Sequence, residues 1–175
     1  MNYIQQLLKE HSRSNTDIIA KAIGSDAVEF KKIIDIIYNE KAPIPQRASW
    51  LLSAINKNQP ELLNPYIPLF IDSISTFETD GIKRNMALVL ATNIIPEKLQ
   101  GKLVNVCFDL LLSSEETVAV KVHAMQAIAN IAKKHPELQN ELKAAIEDQL
   151  SKTSIAFHAK AKQVMKGFYT KPLIT

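Results

Sequence analysis

The apolar residues of this chain recur at spacings of three and four, and its β-branched residues do not alternate with polar ones. That periodicity belongs to amphipathic helices rather than strands. It predicts helical hairpins at about 26–39 with 45–58, 62–75 with 81–93, 97–112 with 117–134, and 138–150 with 155–168. Two shorter helices, near 2–11 and 15–23, precede them as an N-terminal cap. Asp26 followed by Glu29 has the spacing of a capping box, in which each residue satisfies a backbone donor of the other. Pro60, Pro96 and Pro136 fall where the chain must turn, at first helical positions that tolerate a missing N–H.

The pattern repeats. Arg47-Ala48-Ser49-Trp50, Arg84-Asn85-Met86-Ala87, Lys121-Val122-His123-Ala124 and His158-Ala159-Lys160-Ala161 each begin 37 residues after the last. Counted from the first residue of each segment, position seven is Ala54, Ala91, Ile128 and Met165. Position nine is Asn56, Asn93 and Asn130, then Gly167. Pro-Glu-Leu stands at 60–62 and again at 136–138, with a stretched copy at Pro96-Glu97-Lys98-Leu99. A fixed period of this length marks a stack of supersecondary units, each unable to bury its apolar stripe alone.

These residues resemble the HEAT repeat family over roughly residues 26–168: a basic residue opens the inner helix and alanine follows three positions on, as at Ala87, Ala124 and Ala161. The resemblance implies an all-α, right-handed α-α superhelix (solenoid) of about four HEAT-like hairpins. It would be a single domain, with a cap at 1–25, repeats at 26–168 and a tail at 169–175. It also implies that Arg47, Arg84 and Lys121 pair with the acids before them, Glu40, Glu78 and Glu115, in an inter-repeat ladder; a role in holding a ligand anion is the alternative. Lys152 departs from the pattern by occupying the acidic position of the last repeat. Trp50 stands where the other repeats carry alanine, so its repeat must pack with more room.

Helices turn about 100° per residue, which places positions three, four, seven and eleven together as the expected core side. Positions two, five and nine lie opposite, on the side that forms the concave face of a HEAT-like stack. That face reads Ser49, Leu52, Asn56; Met86, Val89, Asn93; His123, Gln126, Asn130; and Lys160, Gln163, Gly167, with Ser53, Leu90, Ala127 and Val164 on its shoulder. Through three repeats it carries no charge apart from a protonated form of His123. Exposed apolar side chains at Leu52, Met86, Val89 and Leu90 would favour contact with a partner. The three asparagines admit two readings. Each amide ties to a backbone carbonyl of the adjoining repeat, or together they form a ladder that donates to and accepts from an extended peptide. Armadillo-type repeats, similar in architecture, use such a ladder beside a tryptophan array that is absent here.

Composition narrows the functional classes. Apolar residues make up 46% and charged residues 22%, ordinary for a globular chain. The N-terminal residues lack the pattern of a signal peptide, no stretch is apolar enough to span a bilayer, and Cys107 is the only cysteine, all of which suggests a reducing cytoplasm. Cys107, between Val106 and Phe108, reads as core. The net charge of +3 is concentrated beyond residue 118, where nine basic side chains face four acidic ones. His11, His135 and His158 are scattered and form no His-x3-His pair, so no metal or other cofactor is expected.

No phosphate-binding glycine loop, Gly-x-Ser-x-Gly elbow or Cys/His pairing appears. The Ser-Ser-x-Met-Pro loop of the adenylosuccinate lyase family is also missing, since Ser113-Ser114 leads into Glu115-Glu116-Thr117. The reading that follows is a non-enzymatic scaffold, monomeric or weakly dimeric, that holds a protein or extended peptide on Ser49, Leu52, Asn56, Met86, Val89, Leu90, Asn93, His123, Gln126 and Asn130. Two alternatives remain: a HEAT-like DNA-binding protein related to alkylated-base DNA glycosylases, which the uncharged face disfavours, and an accessory subunit of an enzyme.

Overall fold

The computed structural model describes residues 1–169. The expected tail lies, beyond Tyr169, outside those residues. Among the described residues the regular structure is entirely helical: α1 Tyr3–Lys9, α2 Arg13–Ile23, α3 Ala27–Asn39, α4 Ile44–Asn58, α5 Ile67–Ser73, α6 Asp80–Thr92, α7 Glu97–Leu112, α8 Val118–Ala132, α9 Pro136–Leu150 and α10 Ile155–Tyr169. The helices gather into two compact units, Met1–Val89 and Leu90–Thr175.

Local chemistry sets the helix starts. The side chain of Asn2 accepts from the Gln5 amide, Ser12 from the Asn15 amide, and Asp26 from the amides of Val28 and Glu29, each satisfying donors that lack an intrahelical partner. The capping box expected at Asp26 is only half formed. Glu29 does not return to the Asp26 amide; its carboxylate accepts from the Tyr3 hydroxyl and from Lys32 instead. Pro60 and Pro136 open their helical segments as expected, whereas Pro96 is the N-cap that precedes α7. At the end of α2, Gly24 has φ of 55°, a left-handed value that costs glycine least, and its N–H closes onto the Ala20 carbonyl.

In the first unit α3 and α4 form a hairpin around Phe30, Ile33, Ile37, Leu51 and Ile55, all buried, and α1 and α2 lie against α4. The continuous helix expected over 62–75 is broken. A 3-10 segment, Pro60–Tyr66, leads into α5, and a second short one, Ile74–Thr76, follows. Pro65 and Pro68 explain the break, because neither has an N–H for the i−4 carbonyl and each ring crowds the preceding turn. The aromatic residues stay packed across it: Phe30 meets Tyr66 edge-on at 5.7 Å, and Tyr66 stacks on Phe70 at 6.4 Å.

The second unit pairs α7 with α8 and packs α9 and α10 against α8. The α8 helix is nearly all small or aliphatic on its covered side, with Ala124, Ala127, Ile128, Ala129 and Ala132 buried. Cys107 lies in the core as expected, and burial pushes its thiol up to about 12.

The ladder of basic and acidic residues is not formed at the expected positions. Arg47 donates to the carbonyls of Leu7 and Leu8 at 2.9 and 3.2 Å, in the last turn of α1. Those carbonyls have no intrahelical donor and sit at the negative end of the helix dipole, so they attract the guanidinium. Lys121 is buried and donates to the Gln149 side chain, while Glu115 stays exposed and accepts from Ser114. Desolvation, and after it the neighbouring Lys152, depresses the Lys121 pKa. Arg84 is exposed and makes no ion pair among the described residues.

Two outcomes follow from the way α1 is held. Arg47→Met leaves two helix-end carbonyls without their charged donor and should cost about 1–3 kcal/mol. Amide exchange in residues 3–9 should accelerate more than exchange in α3. Equal protection in both proteins would show that Arg47 does not hold the cap.

Burial, reinforced by the bond to Glu29, raises the Tyr3 pKa from 10.0 to about 12. Below pH 10 the phenol is protonated whether the chain is folded or not, and its contribution is complete. Between 10 and 12 only the unfolded chain ionises, so stability is lost as pH rises. The denaturation midpoint should therefore fall more steeply over that interval than it does in Tyr3→Phe. Parallel curves would contradict the assignment.

Candidate functional site

A groove of about 890 Å³ opens on the Met1–Val89 unit. One wall is α2, whose Arg13, Asp17, Ala20 and Lys21 share a face through three- and four-residue spacing. The middle is α4, which presents Trp50, Ser53, Ala54 and Lys57 at the same spacing. The far wall is the N-terminal part of α6, with Arg84, Asn85 and Leu88. Asn56, Asn58 and Gln59 close the end near the α4 C-terminus.

The open arc of α4 therefore runs through positions three, six, seven and ten from Arg47, with position nine beside them, and not through two and five. The reason is enclosure. The α4 helix has α3 on one side, the cap helices on another and the 3-10 segment near its end. Its Ser49 hydroxyl accepts from the Asn85 amide of α6 at 3.0 Å and donates to the Gln46 carbonyl at 2.8 Å. Four of the residues expected to face a partner are accordingly core: Ser49, Leu52, Met86 and Val89 are each 0% exposed, and Leu90 is buried with them. Their expected exposure is overturned. Asn56 is half-buried on the groove lining, and Asn93 is also half-buried.

In the second unit the same register does face outward. His123 and Gln126 are half-buried and Asn130 is exposed. The Asn130 amide donates to the Ala91 carbonyl at 2.7 Å and accepts from Gln126 at 2.7 Å. Of the two readings offered for the asparagines, Asn130 follows the first, a tie to the backbone of the adjoining repeat.

The charge of the groove also departs from expectation. Four cations, Arg13, Lys21, Lys57 and Arg84, line it with a single carboxylate, Asp17. Asp17 lies 3.4 Å from Arg13, both of them exposed, whereas Lys21, Lys57 and Arg84 make no ion pair among the described residues. Trp50 is half-buried, with its ring centroid 4.2 Å from that of His11. Arg13, Lys21 and Lys57 are unremarkable by themselves, whereas Arg84 is expected in the ladder, with a ligand-anion role as the alternative, and Trp50 at a roomier packing position. The spacing of Arg13, Asp17 and Lys21 betrays a common face of α2, but nothing in that spacing says that α4 turns Trp50 and Lys57 toward it.

The groove presents hydrogen-bond donors and apolar surface. It offers cationic and amide donors, one indole and a small apolar floor at Ala20, Ala54 and Leu88. Its lone carboxylate has no second carboxylate or histidine among the groove-lining residues with which to share acid–base work. No group of three or more His, Cys, Asp or Glu side chains among the described residues is placed to hold a metal ion. None of the described helices is long and apolar enough to cross a membrane.

A family model described as the HEAT repeat domain matches residues 3–168. Neither a search of curated proteins nor one of solved structures finds a match.

The placement of position five in the core has a direct consequence. Val89→Lys would bury an ammonium without a partner, and it should destabilise the protein by more than about 3 kcal/mol. Lys57→Glu, on the open arc, should shift stability by no more than about 0.5 kcal/mol. Thermal melts of the two variants check this; similar melting temperatures would mean that Val89 is not core.

Proposed function

Because the chain belongs to the HEAT repeat family, whose repeats generally serve as protein-interaction scaffolds, we propose that it is a non-catalytic scaffold that binds a protein segment or extended peptide in the α2–α4–α6 groove. The observation that carries this reading is the groove itself: side chains from three helices of one unit converge on it, and they are of kinds that bind rather than react. The contact set moves accordingly. Trp50, Ser53, Lys57, Arg84 and Leu88 replace the buried Ser49, Leu52, Met86, Val89 and Leu90, and Asn56 remains. His123, Gln126 and Asn130 form a separate polar face of the other unit and are not needed for this site. The cytoplasm is the compartment in which we place this function, with Cys107 kept as a buried thiol.

Trp50 is the only tryptophan in the chain, so its emission reports on the groove alone. Peptides selected from a displayed random library on the full-length protein should shift that emission on titration. Ala54→Tyr fills the floor of the groove, and it should abolish both the shift and the binding while leaving the helical circular dichroism unchanged. If no peptide is retained, or if retained peptides bind the folded Ala54→Tyr protein as well as the parent, the groove is not a peptide site.

A further inference from the structure

Charge is sorted within the first unit. Residues 1–89 carry ten basic and ten acidic side chains, and the groove holds four of the basic ones against one acidic. The remainder of that unit is thus net acidic, and the positive potential is local to the groove. Lys21, Lys57 and Arg84 come from three different helices and have no anionic partner among the described residues. Three like charges held around one concavity repel one another, and an occupant of opposite charge relieves that repulsion.

We infer that the groove takes an extended peptide segment bearing acidic side chains, its carboxylates meeting Lys21, Lys57 and Arg84. This inference rests on the groove being a peptide site. Crossing three neighbouring helices spans about 16–20 Å, which is the length of some five or six extended residues. A segment of that length can place carboxylates at intervals while its apolar side chains reach Ala54 and Leu88, and the amides of Asn56 and Asn58 lie along its path.

A nucleic acid strand fits the same cations less well, for two reasons. Polyanion binding needs positive potential that extends along the strand, and here the surface of the unit outside the groove is net acidic. Sequence-tolerant strand binding also needs successive aromatic platforms. The groove has one indole, and His11 already packs against it.

The test uses the full-length protein, the same displayed library and Trp50 emission. Selected peptides should be enriched in Asp and Glu, and their affinity should fall as salt rises. Changing Lys21→Glu, Lys57→Glu and Arg84→Glu together should weaken them by about tenfold or more, since each exposed pair contributes modestly. The conservative set Lys21→Arg, Lys57→Arg and Arg84→Lys should restore most of the affinity. Peptides that shift Trp50 but are neutral or basic in composition overturn the acidic assignment and leave the groove a peptide site. Acidic peptides indifferent to the charge reversal also overturn it. A short single-stranded oligodeoxynucleotide that saturates the Trp50 signal below the concentrations the peptides need would replace peptide with nucleic acid. A library that yields no binder at all overturns both this inference and the peptide reading beneath it.

Discussion

A two-helix hairpin buries only the stripe where its helices touch, and the inner helices of this chain carry apolar residues over a much wider arc. The α4 helix has Pro45, Ala48, Leu51, Leu52 and Ile55 buried, and α8 has Val120, Ala124, Met125, Ala127, Ile128 and Ile131. No single partner covers arcs of that width. Each inner helix must be enclosed by several neighbours, and most other features of the fold follow from which neighbours are available.

For α4 the neighbours include the N-terminal cap. Arg47 secures α1 by its last carbonyls, Tyr3 of α1 reaches Glu29 of α3, and α2 lies along α4. The cap is therefore part of the architecture of the groove and not merely a cover for the end of the array. Its second helix supplies one wall of the groove, and with it Arg13 and Lys21. The hydrogen bond between Asn85 and Ser49 closes the other side and fixes which arc of α4 stays open. Burying a polar pair there specifies register, because either partner alone would leave an unsatisfied group in the core.

The polar residues outside the groove are largely occupied with structure. Lys121 and Gln149 satisfy each other in the second unit, and Asn130 holds the Ala91 carbonyl. Asn15 accepts from the Gln6 side chain and donates to the carbonyls of Gln6 and Glu10, joining α1 to α2. Lys21, Lys57 and Arg84, which make no ion pair among the described residues, differ in being gathered around one concavity.

The sequence by itself determined the all-helical class, the pairing of α3 with α4, α7 with α8 and α9 with α10, and helix limits close to those observed, since these depend on local spacing and capping. It also identified Cys107 as core. Local rules failed where two prolines interrupted a helix whose periodicity was intact, at 62–75. They failed again wherever a side chain had several possible partners, as at Arg47, Lys121 and Glu29. Which face of each inner helix stays open was decided by tertiary structure alone. Helical periodicity gives the angles between residues on one helix, but the zero of that angle is set by the surrounding helices. In α8 His123 and Gln126 are half-buried and Asn130 is exposed, while in α4 Ser49 and Leu52 are buried, Ser49 against Asn85, and Trp50 and Lys57 stand at the opening. A repeat carries its spacing in its own residues; which side remains uncovered is a property of what packs around it.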